Sequence, residues 1–160
     1  MHWFCYTASC SLMRLVLAWA ARVRLWRPER ARVPGPYILA SNHISHFDPP
    51  FIGWAVRRKI DWMTTAEFFE NPAARAWFRS IDCFPVSREK PDREAIRTAL
   101  DRIGRGRILG MFPEGGIRDG ERSILGGAPI RPGIAMLARM SGAPVVPCVL
   151  LGTDRLYDPK

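Results

Sequence analysis

Cysteine and histidine are scarce in this chain and are poorly placed to bind a metal. The 160 residues include four cysteines and three histidines, and no two cysteines have the C-x-x-C spacing. The histidines complete no zinc-finger pattern, so we expect no structural zinc site. Cys83 and Cys148 lie in apolar runs, which predicts buried thiols in a reducing, cytoplasmic setting.

Several common nucleotide-binding and hydrolase motifs are also missing. No lysine follows a glycine, which excludes a P-loop, and Gly104, Gly106 and Gly110 have the wrong spacing for a dinucleotide-binding fingerprint. The G-x-S-x-G and H-E-x-x-H patterns are absent as well. Basic residues are not interleaved with aromatic residues in a compact RNA-binding pattern, so we expect no nucleic-acid partner.

The sequence contains no uncharged run as long as a membrane-spanning helix. Such a helix needs about 20 apolar residues with few charges. The apolar stretch 3–21 is interrupted by Arg14 and followed at once by further arginines. A signal peptide carries its positive charge before the apolar run, which is the opposite order. Apolar residues recur here at three- and four-residue steps, which predicts an amphipathic helix; they are Leu12, Leu15, Trp19, Val23 and Trp26.

The arginines around this stretch suit the headgroups of an anionic membrane. We therefore predict a membrane-docking helix in residues 1–32 and a separate domain in residues 33–160, with the break at the proline- and glycine-containing segment 33–36. The predicted location is the cytoplasmic face of a membrane, with the chain held peripherally or anchored by its N-terminus. The alternative is a helix packed on the domain's own core with a solvated basic face.

Arginine is what the chain has in abundance. It carries 24 basic residues against 15 acidic ones, a net charge of +9, and 21 of the basic residues are arginine. Arginine makes planar, bidentate contacts with phosphate, so this surface is suited to anionic ligands. Hydrophobic residues make up 48% of the chain and charged residues 24%, a balance typical of a folded domain.

Apolar runs and helical repeats alternate along the rest of the chain. We predict strands at residues 37–40, 61–65, 83–86, 107–112 and 144–151. We predict helices that begin at Asp48, Asn71, Asp92 and Pro132, with Asp48 as an N-cap residue. The last strand is almost uniformly apolar, which predicts that both of its faces are covered. The alternation predicts an α/β domain with a mixed, largely parallel sheet flanked by helices.

One strand-to-helix turn carries a histidine and a carboxylate that can meet. His43 follows the first predicted strand, and Asp48 stands five residues later. A carboxylate bonded to one imidazole nitrogen fixes the tautomer and leaves the other nitrogen free to accept a proton from a hydroxyl group. Two alternatives are open: Asp48 caps its helix while His43 bonds to the turn backbone, or His43, His46 and Asp48 belong to a metal site with no evident fourth ligand.

Two further polar segments follow predicted strands. Residues 112–118 contain Glu114, two glycines and Arg118, and Arg88 follows the third strand. The carboxyl ends of strands are where α/β folds bind ligands, and guanidinium groups there suit phosphate. Taken singly, these residues also fit ordinary exposed charges on loops.

Taken together and in order, these blocks resemble the glycerolipid acyltransferases of the lysophosphatidic acid acyltransferase type, also called the PlsC-like family. The resemblance extends over residues 33–153 and implies the glycerol-3-phosphate acyltransferase-like fold. The family's apolar strand ending in arginine matches 84–88, its FPEG block matches 112–115, and its valine-proline block matches 145–147. Its NHxSxxD block matches Asn42, His43, Ser45 and Asp48.

The resemblance implies an O-acyltransferase in which His43 is the general base and Asp48 orients it. The acceptor hydroxyl would attack an acyl thioester carried by coenzyme A or acyl carrier protein, and no cofactor or metal is implied. The implied acceptor is a lysophospholipid, first of all 1-acyl-glycerol-3-phosphate, which gives phosphatidic acid. The implied substrate-binding residues, with Arg88 on the phosphate, are Asn42, Ser45, Arg88, Glu114, Gly115 and Arg118.

The chain departs from the family pattern at a few positions. Asp82 stands where the family has glycine, Ser87 where it often has aspartate, and Gly116 and Ile117 replace threonine and arginine, so that Arg118 lies one place late. These changes keep open a non-phosphate acceptor such as a lyso-aminolipid, and a noncatalytic lipid-binding protein. The family continues for some tens of residues past its last block, which leaves open a C-terminal truncation.

Overall fold

Five strands alternate with four α-helices in the computed structural model, which describes residues 6–8, 11–12, 15, 22–88 and 91–157. The strands are β1 (Tyr37–Ser41), β2 (Ile60–Thr65), β3 (Phe84–Val86), β4 (Ile108–Met111) and β5 (Val145–Cys148). The helices are α1 (Asp48–Val56), α2 (Pro72–Ser80), α3 (Arg93–Gly104) and α4 (Gly133–Ser141). The strands and helices predicted for residues 37–151 are therefore confirmed, with shifts at their ends.

The strands form one sheet in the order β3-β2-β4-β1-β5. Every strand pairing among the described residues is parallel, so the sheet has no antiparallel part there. Parallel neighbours need crossover connections, and α1, α2, α3 and α4 supply them. The α/β class is confirmed. Because all strands run the same way, the loops that follow their carboxyl ends meet at one edge of the sheet.

The sheet has an apolar core on each face, because successive residues of a strand point to opposite sides. On one face Tyr37 and Leu39 of β1 pack with Ile52 and Val56 of α1 and with Trp62 of β2. On the other face Ile38 and Leu109 pack with residues of α3 and α4, namely Ala95, Ala99, Ile103, Ile134 and Leu137. The central strands are therefore buried on both sides.

The close approach of β2 to β4 requires a glycine at position 110. A Cβ there would lie 2.5 Å from Trp62 Cε3 and 2.7 Å from Ile60 Cγ2, both on the neighbouring strand. Any side chain would therefore displace Trp62. Trp62 in turn stacks on Phe112, with ring centroids 5.0 Å apart.

The helix ends follow the expected capping residues, with one correction. Asn71 and Asp92 cap α2 and α3 by accepting hydrogen bonds from the first-turn amides, and α4 ends at Gly142 in the left-handed conformation. Asp48, however, is not an N-cap. It is the first residue of α1, and Phe47 stands at the cap without a side-chain hydrogen bond. The Asp48 carboxylate turns back to the preceding loop instead.

The prediction that both faces of the last strand are covered is wrong. β5 lies at an edge of the sheet, and its residues alternate between exposed and half-buried. Val146 and Cys148 pack against the core, whereas Val145 is 40% exposed. A continuous apolar run does not separate a central strand from an edge strand, because sheet order is a tertiary property.

The predicted N-terminal helix lies largely outside the described residues. Helical backbone is described at 6–8, 11–12 and 15, while residues 22–25 are irregular. Val23 and Trp26 are therefore not on a helix, which corrects the predicted C-terminal end. Arg27 is left-handed and precedes Pro28, and proline disfavours helical backbone before it. No helix in the described parts of the chain is long and apolar enough to cross a bilayer.

A group of charged residues ties the chain together near the amino ends of the strands. Asp61 of β2 is fully buried and lies 3.0 Å from Arg102 and 2.6 Å from Arg107. Burial raises the pKa of Asp61, and the two guanidinium groups oppose that rise. Asp82 binds Arg107 at 2.9 Å and also pairs with Lys59. This group lies at the amino ends of the strands, opposite the loops that follow their carboxyl ends.

Candidate active site

The loops after β1, β3, β4 and β5 bring the predicted site residues to one edge of the sheet. His43 follows β1, Arg88 follows β3, and the loop containing Glu114 and Gly115 follows β4. The segment after β5 reaches the same edge, where Thr153 bonds to Asp48. This side of the sheet is formed by the carboxyl ends of the strands, where α/β folds bind ligands.

His43 and Asp48 form the predicted pair. His43 Nδ1 lies 2.8 Å from Asp48 Oδ2, and Asp48 is fully buried. The same oxygen accepts the backbone N–H groups of Ile44 at 2.7 Å and Ser45 at 2.9 Å. These contacts hold the carboxylate in the turn that carries the imidazole. With Nδ1 donating to Asp48, the lone pair of the neutral ring is on Nε2.

The imidazole is held flat against an aromatic ring. Phe112 stacks on His43 with centroids 3.9 Å apart and an interplanar angle of 12°. The His43 side chain keeps 12% of its surface exposed, and no described residue forms a hydrogen bond with Nε2. Because Phe112 also stacks on Trp62, the orientation of the histidine depends on the packing of β2 against β4. The arrangement is that of an oriented base.

Glu114 links the histidine to the loop after β4. Its Oε2 accepts the backbone N–H of His43 at 2.6 Å, and its Oε1 accepts the backbone N–H of Ile124 at 2.8 Å. The backbone N–H of Arg118 donates to the carbonyl of His43 at 2.8 Å. Glu114 is buried, and both carboxylate oxygens are occupied by backbone amides. His43 and this loop therefore form one hydrogen-bonded unit.

Asn42 and Ser45 are fully buried and bond within the protein. Asn42 Nδ2 donates to the carbonyl of Leu150 at 2.9 Å, and Asn42 Oδ1 accepts the N–H of Leu150 at 2.7 Å. Ser45 Oγ accepts the N–H of Phe47 at 3.1 Å. Both side chains thus fix the backbone around His43.

Three arginines converge on the two glycines of the loop after β4. A Cβ on Gly116 would lie 3.6 Å from Arg88 Nη1 and 3.8 Å from Arg118 Nη1. A Cβ on Gly115 would lie 2.5 Å from Arg131 Nε, and Gly115 has a φ of 70°. Glycine at position 115 thus meets a conformational need and leaves room for a guanidinium group.

Arg131 is the member of this group that the sequence did not reveal. It precedes α4, its backbone N–H donates to the carbonyl of Pro113 at 3.0 Å, and its Nη1 lies 3.5 Å from the carbonyl of Arg88. Arg88 and Arg131 are exposed and Arg118 is half-buried. None of the three pairs with a carboxylate of the described residues. Three guanidinium groups around a glycine loop are suited to a phosphate.

The described residues offer little to a metal ion. No group of three or more histidine, cysteine, aspartate or glutamate side chains in the described parts of the chain is arranged to hold one. The Asp48 carboxylate already accepts hydrogen bonds from His43, Ile44, Ser45 and Thr153. His46 is exposed.

A family model described as acyltransferase matches residues 22–151, which include every site residue named above except Thr153. The chain belongs to the acyltransferase family. The 1-acyl-sn-glycerol-3-phosphate acyltransferase of Bacillus subtilis (strain 168) is 28% identical over 95% of this chain and 72% of its own length. The enzyme of the same name from Streptococcus pneumoniae is 28% identical over 72% of this chain and 42% of its own length.

Two further relatives extend the comparison. The lyso-ornithine lipid O-acyltransferase of Pseudomonas aeruginosa is 27% identical over 89% of this chain and 61% of its own length. The crystal structure of the lysophosphatidic acid acyltransferase PlsC from Thermotoga maritima superposes with a TM-score of 0.75 at 22% identity, covering 94% of this chain and 59% of that one. The predicted resemblance and the sheet architecture are confirmed. The chain spans between two fifths and three quarters of these relatives' lengths.

The comparisons confirm the predicted class of lipid-synthesising O-acyltransferase at the level of the family. In the names of these four relatives the acceptor differs, being an acylated glycerol phosphate in three and a lyso-ornithine lipid in the fourth.

Proposed function

We propose that this chain transfers a fatty acyl group from an acyl thioester to the free hydroxyl of 1-acyl-glycerol-3-phosphate, giving phosphatidic acid. The observation that carries this proposal is the joining of an oriented base to an arginine-rich loop. His43 pairs with Asp48 at 2.8 Å, and its backbone is bonded directly to Glu114 and Arg118. A phosphate bound by the arginines would hold the neighbouring hydroxyl of the same molecule near the imidazole.

The proposed reaction needs no oxidant or reductant. His43 Nε2 takes the proton of the acceptor hydroxyl as its oxygen bonds to the thioester carbonyl carbon. Asp48 stabilises the imidazolium that forms. The tetrahedral intermediate then collapses with cleavage of the carbon–sulfur bond. The thiolate takes the proton from His43, so that the products are an ester and a free thiol, either coenzyme A or acyl carrier protein.

Release of free thiol tests the reaction. The full chain in detergent is given lysophosphatidic acid with palmitoyl-CoA or with palmitoyl-acyl carrier protein. We expect acceptor-dependent thiol release that His43→Ala lowers by roughly 10²- to 10⁴-fold. His46→Ala, in the same turn, is the matched control and keeps near-normal activity. No release with either donor would refute the proposal, and equal losses in both variants would favour a metal site.

Phosphate recognition is tested on the arginine group. We expect Arg131→Ala to raise KM for lysophosphatidic acid about tenfold, with kcat little changed, because the arginine binds a group that does not react. Arg139→Ala, an exposed arginine of α4, is the control and leaves KM unchanged. An unchanged KM for Arg131→Ala contradicts its assignment to the phosphate.

A lyso-aminolipid is the second candidate acceptor. It is favoured by the similarity to the lyso-ornithine lipid O-acyltransferase and by the Gly116-Ile117 change that moves Arg118 one place along the loop. Lyso-ornithine lipid carries a carboxylate, which guanidinium groups also bind. A direct comparison of kcat/KM for lysophosphatidic acid and lyso-ornithine lipid decides between them, since the larger value identifies the acceptor. Vesicle binding without transfer to either would indicate a noncatalytic lipid-binding protein.

We also propose that the N-terminal segment docks on the cytoplasmic face of an anionic membrane. Leu12, Leu15 and Trp26 are 65%, 72% and 85% exposed, and Arg22 and Arg24 are exposed as well. Exposed leucine and tryptophan beside arginine is typical of an interfacial segment. We expect co-sedimentation with phosphatidylglycerol vesicles that a Leu12→Ser, Leu15→Ser double variant weakens. Leu125→Ser, 49% exposed on a loop, is the control, and equal binding by all three proteins would contradict this docking mode.

A further inference from the structure

Thr153 contacts the His43–Asp48 pair from a distant part of the sequence. Its hydroxyl donates to Asp48 Oδ1 at 2.5 Å, and Thr153 is 5% exposed. The other described donors to this carboxylate, from His43, Ile44 and Ser45, all bind Oδ2. Among the described residues, Thr153 is therefore the partner of the second oxygen.

Three features place Thr153 at this point. Asn42, the residue before His43, holds the backbone of Leu150 through both ends of its amide, at 2.9 Å and 2.7 Å. Gly152 then takes a left-handed conformation with a φ of 83°, which turns the chain back toward Asp48. The parallel register of β1 and β5 places Ser41 opposite Cys148, and so fixes where along β1 the segment after β5 begins. Asn42 and Thr153 thus belong to one chain of contacts that ends on the carboxylate.

We propose that Thr153 is a positioning residue for the base. The terminal torsion of an aspartate is broad, so a carboxylate held at one oxygen can rotate. The hydroxyl on Oδ1 fixes the carboxylate plane, which keeps Oδ2 on His43 Nδ1 and leaves Nε2 unprotonated. This inference rests on the proposed function, because His43 Nε2 receives the proton there. Thr153 lies beyond residues 22–151, which the family model matches.

Removing the hydroxyl while keeping the shape tests the proposal. We expect Thr153→Val to lower kcat roughly 10- to 100-fold and to leave KM for acceptor and donor unchanged, because the base is misaligned while the binding groups stay. Thr153→Ser keeps the hydroxyl and should keep kcat within about threefold of the wild type. Thr98→Val, at a half-buried threonine of α3, is the matched control and should leave kcat unchanged.

A double-variant comparison shows whether Thr153 acts through Asp48. In an Asp48→Asn background, Thr153→Val should lower kcat by less than about threefold, because the carboxylate that it orients is already gone. If Thr153→Val lowers kcat by a similar factor in both backgrounds, the proposal is overturned. A change confined to KM, or a Thr153→Ser variant as poor as Thr153→Val, overturns it equally.

A spectroscopic readout separates this proposal from the proposed function. Nitrogen-15 NMR of the full chain, with the His43 signal assigned through His43→Ala, reports which ring nitrogen carries the proton. We expect Nδ1–H in the wild type and a mixture of tautomers in Thr153→Val. If the wild type transfers no acyl group but the tautomer changes, the proposed function fails and the positioning role stands. If transfer occurs and Thr153→Val keeps the wild-type tautomer, the positioning role fails.

Discussion

Replacing Asp48 by asparagine or by alanine separates the charge of this side chain from its hydrogen bonds. Asparagine has the same shape, and its amide oxygen can accept the N–H groups of Ile44 and Ser45, now bonded to Oδ2 at 2.7 and 2.9 Å. Its amide nitrogen can donate to the hydroxyl of Thr153, which accepts as readily as it donates. We therefore expect Asp48→Asn to fold.

The asparagine variant lacks the negative charge that supports the imidazolium of His43. We expect kcat to fall by roughly 10²- to 10⁴-fold, the usual contribution of general base catalysis. KM for the acceptor should change little, because the arginines of the glycine loop are untouched. Thiol release from palmitoyl-CoA and palmitoyl-acyl carrier protein with lysophosphatidic acid measures both constants.

Alanine at the same position should strongly destabilise the domain. It leaves the buried amide of Ser45, the half-buried amide of Ile44 and the Thr153 hydroxyl without an acceptor. Each such group costs about 1–3 kcal/mol, so the total is about 3–9 kcal/mol. The whole domain is expected to have about 5–15 kcal/mol of stability. Denaturant unfolding, followed by circular dichroism, measures the difference.

The matched control is Asp101→Asn, an exposed aspartate of α3 paired with Arg105, which should change neither kcat nor stability. Two results would refute the reasoning. One is an Asp48→Asn enzyme with turnover within about threefold of the wild type. The other is an Asp48→Ala protein within about 1 kcal/mol of wild-type stability.

Three further variants or reagents test the packing and the charges. Gly110→Ala should destabilise the fold by about 1–3 kcal/mol in denaturant unfolding, because its Cβ meets Trp62 at 2.5 Å; unchanged stability contradicts this packing. Burial opposes the lowering of the Asp82 pKa, but the hydrogen bonds from Lys59 and Arg107 prevail and hold that pKa below its usual value. The ionised form of Asp82 therefore stabilises the fold above about pH 4. Asp82→Asn should lower the free energy of unfolding by on the order of 1 kcal/mol near pH 7, and by progressively less as the pH falls below 4. An equal loss of stability at all pH values would contradict this role of the Asp82 charge. Burial raises the pKa of Cys83 to about 12. Iodoacetamide should therefore label Cys83 only after denaturation, which peptide mass mapping can detect. Rapid labelling of the native protein would instead show that the Cys83 thiol is accessible.

The position of Asp82 explains one departure from the family pattern. Asp82 has a φ of 61°, in the left-handed region where glycine is favoured, and the family has glycine there. Aspartate tolerates this conformation better than most residues. Its carboxylate is then used to pair Lys59 and Arg107. The substitution is accommodated by the turn and gains an ion pair.

Local patterns account for much of what the sequence revealed. The helix starting after Asp92 has both its cap and its apolar repeat inside one short segment, and it forms as predicted. The His43–Asp48 contact is also local, since five residues separate the two side chains in one turn. The same local reasoning wrongly made Asp48 an N-cap, because an aspartate at the start of a helix suits capping as well as pairing with His43.

Contacts between distant segments could not be predicted from spacing. Arg131 meets the glycine loop after β4, and Thr153 lies 105 residues from Asp48. Nothing in the neighbourhood of either residue distinguishes it from an ordinary loop arginine or threonine. The position of Thr153 follows from the adjacency of β1 and β5, and that of Arg131 from the folding of the long connection between β4 and α4, and apolar patterns specify neither.

The sequence by itself determined the α/β class, the family and the contact between His43 and Asp48, because each depends on the order of residues within short segments. Only the tertiary structure decided the strand order, the edge position of β5, the gathering of Arg88, Arg118 and Arg131, and the hydroxyl of Thr153 on the second carboxylate oxygen. The physical reason is that parallel strands are joined by crossovers, so neighbours in space are far apart in the chain.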